Sequence, residues 1–310
     1  MADSLSDAHE HSRRAEGSRM GTLGFHEGVP KLEEAGGGED RVQGKTSNSR
    51  NHSSALPRTD SKGKEGMKTP VSIILPTYNE AGHIVPLVES LRKKVPQAQV
   101  LVVDDQSPDG TAQRIAESFG GDGMVRLIER RGPRGLAESI GEGIEAASGE
   151  KIVIMDTDFS HDPDVVPVML SNLTFFDLVS GSRYIYGGGM YSEIRYFFSY
   201  LFNQFSRYLL NTRLTDHLSG FAAFRRNLLE RIFERVSAKE IFHGYGDYYI
   251  RFLFHAVRCN AKILEVPSWY RDREYGESKT RFLRTLARYT AAVLGLRIRY
   301  GRAWRRRWRE

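Results

Sequence analysis

Residues 71–80 read VSIILPTYNE, a short apolar run with β-branched side chains that ends at Pro76. Such a run predicts a buried strand over residues 71–75. A second apolar run at 100–103 predicts another buried strand, which leads into the polar turn DDQSPDG. Apolar side chains recur at helical spacing over Glu80–Lys94, so this part of the chain is predicted to form strand, helix, strand.

Strands and helices continue to alternate beyond this segment. The sequence predicts helices over 111–119 and 136–147 and strands over 124–128 and 151–155. This alternation favours an α/β fold in which a mostly parallel sheet has helices on both faces. Ligands of such sheets bind beyond the carboxyl ends of the strands, so the turns at those ends are candidate sites.

The two ends of the chain differ in composition from its middle. Residues 1–68 carry 11 basic and 11 acidic side chains but one Phe and no Trp or Tyr, so we predict a disordered extension. Within a basic tail at 291–310, Arg297–Glu310 holds seven Arg and one Glu and accounts for the whole net charge of +6. Its Trp304 and Trp308 suit an anionic lipid surface, although a solvated, frayed terminus is the alternative.

Composition excludes several classes of protein. With 40% hydrophobic and 11% aromatic residues, the chain can bury a sizeable core. The single Cys259 excludes an intramolecular disulfide framework and a cysteine-based zinc site. Charge confined to one end is not the pattern of a nucleic-acid binder. No uncharged run reaches the ~20 residues of a membrane span and no signal-peptide core is present, so we expect a soluble or membrane-surface protein.

Paired acids follow two of the predicted strands, Asp104 and Asp105 after one and Asp156 and Asp158 after the other. Alternate side chains of an extended segment point the same way, so the second pair can converge on one ion. Carboxylates without Cys or a His cluster suit Mg²⁺ or Mn²⁺, with Ser160 as a weak or water-mediated partner. Taken alone, the D-x-D pattern is also consistent with a polar turn.

A diphosphate substrate beside such a metal would need cationic side chains. The candidates are Arg183, Arg273 and Lys279. An arginine fork matches phosphate oxygens and a lysine supplies a point charge. For each of them, a solvated surface charge is the alternative.

Six motifs in this order resemble those of the family 2 glycosyltransferases, and more narrowly the polyprenol- and dolichol-phosphate mannosyltransferases. They are VSIILPTYNE (71–80), VVDDQSPDGT (102–111), MDTD (155–158), GSRY (181–184), SGF (219–221) and YGESK (275–279). The resemblance covers about 69–290. It implies one GT-A, Rossmann-like domain, a nucleotide-sugar donor, and transfer of the sugar to a lipid phosphate. We expect C-terminal amphipathic or basic helices in addition.

The resemblance also assigns roles to individual residues. The nucleotide pocket would be lined by Pro76, Tyr78, Glu80, Val103 and Asp105. The metal and the diphosphate would be held by Asp156, Thr157 and Asp158, with Ser160 where several members have Gln. The phosphates of donor or acceptor would be faced by Arg183, Arg273 and Lys279. The lipid phosphate would be met by Arg195 and Ser199.

A strongly amphipathic helix is predicted over Glu193–Leu210. Its apolar side is formed by Ile194, Phe197, Phe198, Leu201, Phe202, Phe205 and Leu209, and its other side by Arg195, Ser199, Asn203 and Arg207. One interpretation is a helix packed on the core. The other is an interfacial helix that lets a polyprenyl chain approach while its phosphate meets Arg195.

These expectations combine into metal-dependent, inverting transfer of a hexose, mannose from GDP-mannose, to a polyprenyl or dolichyl phosphate. An anionic acceptor needs no strong general base, whereas a sugar hydroxyl would need a carboxylate such as Asp216 or Asp247. For Asp216, a role in structuring its loop is the alternative. Other possibilities are a different donor such as UDP-glucose, a saccharide acceptor, or a non-catalytic nucleotide-sugar-binding subunit. We expect peripheral attachment to the cytoplasmic face of a membrane, with a possible small membrane-anchoring subunit.

Overall fold

The computed structural model describes residues 69–270 and 282–304. The predicted extension over 1–68, the predicted phosphate-facing Arg273 and Lys279, and the tail beyond residue 304 lie outside the described residues. The elements are, in chain order, β1 (Val71–Thr77), α1 (Ile84–Lys94), β2 (Ala98–Asp104), α2 (Thr111–Phe119), β3 (Val125–Glu129), α3 (Leu136–Ala146), β4 (Lys151–Ile154), α4 (Val165–Asn172), β5 (Leu178–Ser182), β6 (Gly189–Met190), α5 (Glu193–Leu210), β7 (Ala222–Arg225), α6 (Arg226–Phe233), α7 (Ala238–Ile241), α8 (Asp247–Arg258), β8 (Ile263–Pro267), β9 (Trp269–Tyr270) and α9 (Phe282–Trp304).

Seven of these strands form one sheet in the order β3-β2-β1-β4-β7-β5-β8. Every neighbouring pair is parallel except the two that include β7, which runs antiparallel to β4 and β5. β6 and β9 form a separate parallel pair. The prediction of a mostly parallel sheet is therefore confirmed.

Apolar side chains on the two faces of the sheet form two cores. Ile74, Leu101 and Ile154 face one cluster, which includes residues of α3, α6 and α8. Ile73 and Val102 face the other, which includes residues of α1 and α4. Burying one such side chain stabilises the fold by roughly 1.5–3 kcal/mol relative to exposing it. Helices thus cover both faces, as the sequence predicts.

Pro76 lies inside β1 although proline cannot donate to a strand ladder. β1 runs on through Pro76 to Thr77 beside β2, whereas its pairing with β4 ends at Ile74↔Ile154. Pro76 therefore lies beyond the last residue of β1 that pairs with β4, where its missing N–H leaves no hydrogen bond to β4 unmade. β1 and β4 separate at this point, and the candidate site lies in the resulting opening at the carboxyl edge of the sheet.

The amphipathic helix α5 has the predicted bounds, but its apolar side faces outward. Ile194 is 73% exposed and Phe197 is 57% exposed, whereas the polar Asn203 and Ser206 are buried. Phe202 is the one large aromatic residue of α5 that is buried, in a third cluster shared with α8 and α9. Packing on the core therefore accounts for only a narrow face of the helix.

The C-terminal helix α9 runs without interruption across residue 290, where the sequence predicts the start of a tail. Val293 and Leu296 are buried in the cluster with Phe254 of α8, so this part of the basic segment packs on the domain. Across residues 69–270 and 282–304, we find no helix whose length and apolar character would let it cross a membrane.

Candidate active site

A cavity of about 450 Å³ opens at the carboxyl ends of β1, β2 and β4. It is lined by Pro76, Thr77, Tyr78, Glu80, Asp105, Arg134, Gly135, Leu136, Ser139, Asp156, Thr157, Asp158 and Tyr245. All the predicted nucleotide and metal residues of β1, β2 and β4 are brought together here except Val103 and Ser160. The N-terminal turn of α3 also borders the cavity, which adds the positive end of a helix dipole to its wall.

Val103 and Ser160 lie behind the cavity wall. Val103 is fully buried in the core, where its side chain packs with Ile74, so that side chain does not line the cavity, and a nucleotide contact of Val103 stays a prediction. Ser160 is likewise fully buried, and its hydroxyl donates to Asp158 Oδ1 at 2.5 Å. In the structure Ser160 therefore orients the Asp158 carboxylate, and its weak or water-mediated metal contact stays a prediction.

A tight turn after β4 presents the acidic pair. The Ser160 backbone N–H adds a second hydrogen bond to Asp158 Oδ1, at 3.1 Å. Between them, Phe159 has a φ of 57°, a left-handed conformation that is uncommon for a bulky residue. Thr157 Oγ1 donates to the Pro76 carbonyl at 3.3 Å and so ties this turn to β1. The acidic turn is therefore fixed before any ligand binds.

His161 supports this turn by hydrogen bonds, and no motif in the sequence predicts this role. Its Nδ1 accepts from the Asp156 backbone N–H at 3.1 Å, and its Nε2 lies 3.0 Å from the Ser219 carbonyl oxygen. The ring stacks on Phe221 with centroids 4.8 Å apart. This hydrogen-bond pattern assigns the proton to Nε2, so His161 holds the backbone of Asp156 and is not available as a base.

Asp105 is held by an arginine that sequence reasoning also missed. The buried Arg130 donates to Asp105 Oδ1 and, through Nε, to Glu142 at 2.9 Å. The Gly135 N–H donates to Asp105 Oδ2 at 2.8 Å. Both carboxylate oxygens are thereby fixed at the cavity wall. A basic residue just beyond the predicted third strand, two positions after residue 128, was the available signal for this pairing.

A second arginine stands on the same loop as Arg130. The Arg134 guanidinium carbon lies 3.5 Å from the centroid of the Tyr78 ring, and both residues line the cavity. This distance places the guanidinium on the face of the ring, in a cation–π contact. The sequence does not single out Arg134, because one of several arginines in a Gly/Pro-containing loop has no distinguishing pattern.

Arg183 forms a buried ion pair with Asp216 and does not line the cavity. Its Nε donates to Asp216 Oδ2 at 2.7 Å and its Nη2 donates to Oδ1 at 2.8 Å. Burial raises the pKa of the Asp216 carboxyl, but the Arg183 charge and hydrogen bonds outweigh it, so the net pKa lies below the ordinary value. Asp216 is therefore ionised and enclosed, which corrects its candidacy as a general base.

Asp247, the other candidate base, is also paired. Its Oδ2 accepts from Arg251 Nη1 at 2.5 Å, and its Oδ1 accepts from the Tyr245 N–H at 3.0 Å. Only 7% of Asp247 is exposed. These contacts assign Asp247 to holding the first turn of α8 beside the cavity residue Tyr245.

The predicted lipid-phosphate residues lie on α5, away from the cavity lining. Arg195 is exposed and Ser199 is half-buried. Ser199 Oγ donates to the Arg195 carbonyl at 2.6 Å and also hydrogen-bonds the Tyr184 hydroxyl, next to Arg183 in the chain. The structure thus brings Ser199 near the GSRY motif, and the phosphate contacts of Arg183, Arg195 and Ser199 stay predictions.

The cavity presents oxygen ligands that suit a hard cation, with Asp156 and Asp158 on one turn. Within the described part of the chain, no group of three or more His, Cys, Asp or Glu is placed to hold a metal ion. A cation bound here would therefore take much of its coordination shell from water or a ligand, as Mg²⁺ commonly does.

Comparison with known proteins defines the family. Residues 72–233 match glycosyl transferase family 2. The undecaprenyl-phosphate mannosyltransferase of Micrococcus luteus is 34% identical over 215 residues, which cover 67% of this chain and 86% of the relative. The polyprenol monophosphomannose synthase of Mycolicibacterium smegmatis is 33% identical over 215 residues, covering 67% and 79%. The chain belongs to glycosyl transferase family 2, as its six motifs predict, and is a glycosyltransferase.

Solved structures agree on the fold. Glucosyl-3-phosphoglycerate synthase from Mycobacterium tuberculosis, in complex with Mn²⁺, UDP and phosphoglyceric acid, matches with a TM-score of 0.57 and 20% identity over 74% of this chain and 78% of that one. The same enzyme with Mg²⁺ and UDP gives a TM-score of 0.55 and 21% identity over 73% and 79%. The predicted GT-A fold is confirmed.

Proposed function

We propose that the protein transfers mannose from GDP-mannose to a polyprenyl phosphate, with inversion and with Mg²⁺ or Mn²⁺ bound. The mannosyltransferase relatives support the sugar and the class of acceptor. The observation that carries the proposal is the cavity itself, which gathers the PTYNE, VDD and DTD motifs at one edge of the sheet. A nucleotide diphosphate fits there, with its phosphates at the acidic pair and its nucleoside toward Tyr78 and Asp105.

The metal would be held by Asp156 and Asp158, both of which line the cavity, and a divalent cation supplies charge stabilisation for the leaving diphosphate. Ser160 holds the Asp158 carboxylate and His161 holds the Asp156 backbone through the hydrogen bonds described above. Structures of related fold contain Mn²⁺ or Mg²⁺, which supports the choice of ion. The protein's own part is preorganisation, which lowers the barrier because the groups need not rearrange during the reaction.

A phosphate acceptor suits this site better than a sugar hydroxyl. His161, Asp216 and Asp247 are each committed to hydrogen bonds or ion pairs that hold the fold. A hydroxyl acceptor needs a base to take its proton, whereas a lipid phosphate is already anionic near neutral pH. The buried state of these three groups therefore supports a lipid phosphate as the acceptor.

The exposed side of α5 is the surface by which the enzyme would meet the membrane. Phe197, Phe198 and Leu201 are each about half exposed, at 57%, 51% and 48%. On α9, Leu294 and Ile298 are 42% and 80% exposed and are followed by the arginine-rich residues 299–310. Apolar side chains beside basic ones suit an anionic lipid surface, where each Arg contributes roughly 1 kcal/mol. A small anchoring subunit is the competing occupant of this surface.

The deciding experiment is a donor screen with the purified full chain, a short-chain polyprenyl phosphate and GDP-mannose, GDP-glucose or UDP-glucose, with Mg²⁺, Mn²⁺ or chelator. We expect lipid-linked mannose from GDP-mannose in the presence of metal and none with chelator. Product from UDP-glucose alone would overturn the donor and keep the acceptor class. Nucleotide binding without any transfer would instead favour a non-catalytic subunit.

A further inference from the structure

We propose that Arg134 selects the base of the donor nucleotide, and that the base it selects is guanine. The inference deepens the proposed function and rests on it in one respect, that a nucleotide-sugar donor occupies the cavity. It starts from the position of the Arg134 guanidinium, 3.5 Å above the Tyr78 ring in the cavity lining.

Stacking holds the guanidinium plane but leaves its N–H donors at the edges of that plane. Among residues 69–270 and 282–304, no hydrogen bond or ion pair engages the Arg134 guanidinium. Within the described part of the chain, this exposed arginine is oriented by an aromatic ring while its N–H donors are not used. This is the arrangement expected of a recognition residue, whereas a structural arginine such as Arg130 uses its donors within the protein.

Hydrogen bonds hold the loop that carries Arg134 on both sides of that residue. Gln106 Nε2 donates to the Gly132 carbonyl at 2.7 Å, and Arg130 Nη2 donates to the Pro133 carbonyl at 3.2 Å. On the other side, the Gly135 N–H is bound to Asp105, as described above. The backbone of Arg134 is therefore fixed against the carboxyl end of β2, so little further ordering is needed when a ligand binds.

Strand order places Arg134 at the nucleoside end of a bound donor. The acidic pair follows β4, Tyr78 follows β1, and Asp105 follows β2, and these three strands are neighbours in the order β2-β1-β4. Two strand spacings, about 10 Å, separate the β2 end from the β4 end. A nucleotide with its diphosphate at the acidic pair would extend across β1 toward Asp105, and its base would reach the Tyr78–Arg134 side.

The donor pattern of a guanidinium distinguishes the bases. Guanine presents two adjacent acceptors, O6 and N7, which an arginine fork matches with two N–H groups. Adenine carries an amino donor in place of O6, and a pyrimidine offers only one acceptor on the corresponding edge. Arg134 thus favours guanine over adenine and uracil. Guanine is the base of the proposed donor, GDP-mannose.

The test measures nucleotide binding without any acceptor, by calorimetry on the full chain with Mg²⁺. The ligands are GDP, IDP, 7-deaza-GDP, ADP and UDP, and the variants are Arg134→Ala, Arg134→Lys and the control Arg131→Ala. Arg131 is exposed on the same loop but does not line the cavity. We expect Arg134→Ala to lower the affinity for GDP and IDP by at least about tenfold and to change the affinity for UDP by less than about threefold. Arg134→Lys should lose most of the preference for GDP and IDP over UDP.

The 7-deaza analogue tests the contact at the level of one atom. It lacks N7, so it should bind the wild type several-fold more weakly than GDP does but bind Arg134→Ala as GDP does. Equal losses for GDP and UDP would mean that Arg134 faces the diphosphate, and would overturn the proposal, as would a wild type that prefers UDP. If Arg134 fails as the base-selecting residue while the donor screen gives lipid-linked mannose from GDP-mannose, the proposed function stands, whereas a wild type that prefers UDP would overturn the donor of the proposed function as well, so the two failures are distinguishable.

Discussion

Arg183 and Asp216 form a two-point ion pair in the interior of the domain, with N–O distances of 2.7 and 2.8 Å. Asp216 is completely buried and Arg183 is 6% exposed. The pair joins the end of β5 to the loop after α5, and Asn203 of α5 also donates to Asp216 Oδ1 at 3.4 Å. The GSRY motif is thereby connected to the helix with the exposed apolar side.

Breaking this pair should destabilise the protein strongly. Asp216→Asn leaves the Arg183 charge buried without its counter-ion, which costs about 3–5 kcal/mol of unfolding free energy. Urea unfolding followed by circular dichroism measures the loss. A variant as stable as the wild type would show that the charge of Asp216 is not needed to hold Arg183.

A double variant separates the structural role of the pair from a catalytic one. Arg183→Met with Asp216→Asn removes both charges, so no uncompensated charge stays buried, and keeps an amide oxygen at 216 that can accept from Asn203 and from the Leu218 N–H. If Arg183 also faces a substrate phosphate, the double variant should regain stability and remain inactive. Recovery of transfer together with stability would contradict a catalytic role for Arg183.

Asp158→Asn should abolish transfer while the fold survives. The amide oxygen can still accept from Ser160, but the negative charge that a cation requires is gone. We expect turnover to fall by about 100-fold or more. The control is Asp164→Asn, an exposed carboxylate on the same connection to α4. Calorimetry with Mn²⁺ should show weaker binding by Asp158→Asn only, and similar turnover in both variants would refute the metal assignment.

The elements around this acidic turn follow from local sequence, but the contacts that orient it do not. Strand β4 and the D-x-D turn lie within one short segment, and apolar runs ending in acids predict both. Arg130 with Asp105, and Arg183 with Asp216, are pairs whose members belong to separate elements. Such partners lie close together because of the order of strands in the sheet, and that order cannot be read from a single sequence.

Helix α5 shows a second limit of sequence reasoning. The periodicity of its apolar residues predicts the helix and its bounds, but not which side is buried. Asn203 faces inward because its side-chain Nδ2 donates to Asp216 and its side-chain Oδ1 accepts from the His217 N–H at 2.7 Å. A buried polar network of this kind reverses the usual orientation, in which the apolar side of a helix packs on the core.

Stability should decrease in mildly acidic solution. Burial lowers the pKa of His217 from 6.5 to about 4, with the Asp216 charge opposing that shift only in part. Burial, reinforced by the Arg258 charge, also lowers the pKa of His255 to about 4. The unfolded chain therefore binds protons that the folded chain does not, so stability is fully present above pH 6.5 and is lost as the pH falls toward 4.

The slope of unfolding free energy against pH tests this prediction. Each buried histidine contributes up to about 1.4 kcal/mol per pH unit in that window. Urea unfolding at several pH values should give a shallower slope for His217→Gln than for the wild type, whatever the variant's absolute stability. His243→Gln, at an exposed histidine, is the control and should leave the slope unchanged. Parallel slopes for all three proteins would contradict the buried, neutral state of His217.

The final prediction concerns the outward apolar side of α5. Replacing Phe197, Phe198 and Leu201 together with Ser removes side chains that are about half exposed, so each substitution should cost less stability than at a fully buried position, and circular dichroism checks that the variant is folded. Each apolar side chain that enters a lipid interface gains about 25 cal/mol per Å² of buried area, and the triple variant forfeits this gain. We therefore expect weaker co-sedimentation with anionic vesicles and lower transfer to membrane-embedded acceptor, with transfer to a short-chain polyprenyl phosphate nearly unchanged.

Phe175→Ser provides a matched control, because Phe175 is 74% exposed but lies between α4 and β5, away from α5 in the chain. Truncation after Trp304 removes four of the arginines in Arg297–Glu310 and tests the basic contribution separately, since it leaves the described part of α9 whole. The difference in vesicle binding between the truncated and the full-length chain should shrink as salt is raised, because surface charge attraction is screened over about 10 Å at 0.1 M ionic strength. If the triple variant, the truncated chain and the wild type all sediment equally, the lipid surface is not what covers this side of α5, and a protein subunit is the occupant to seek.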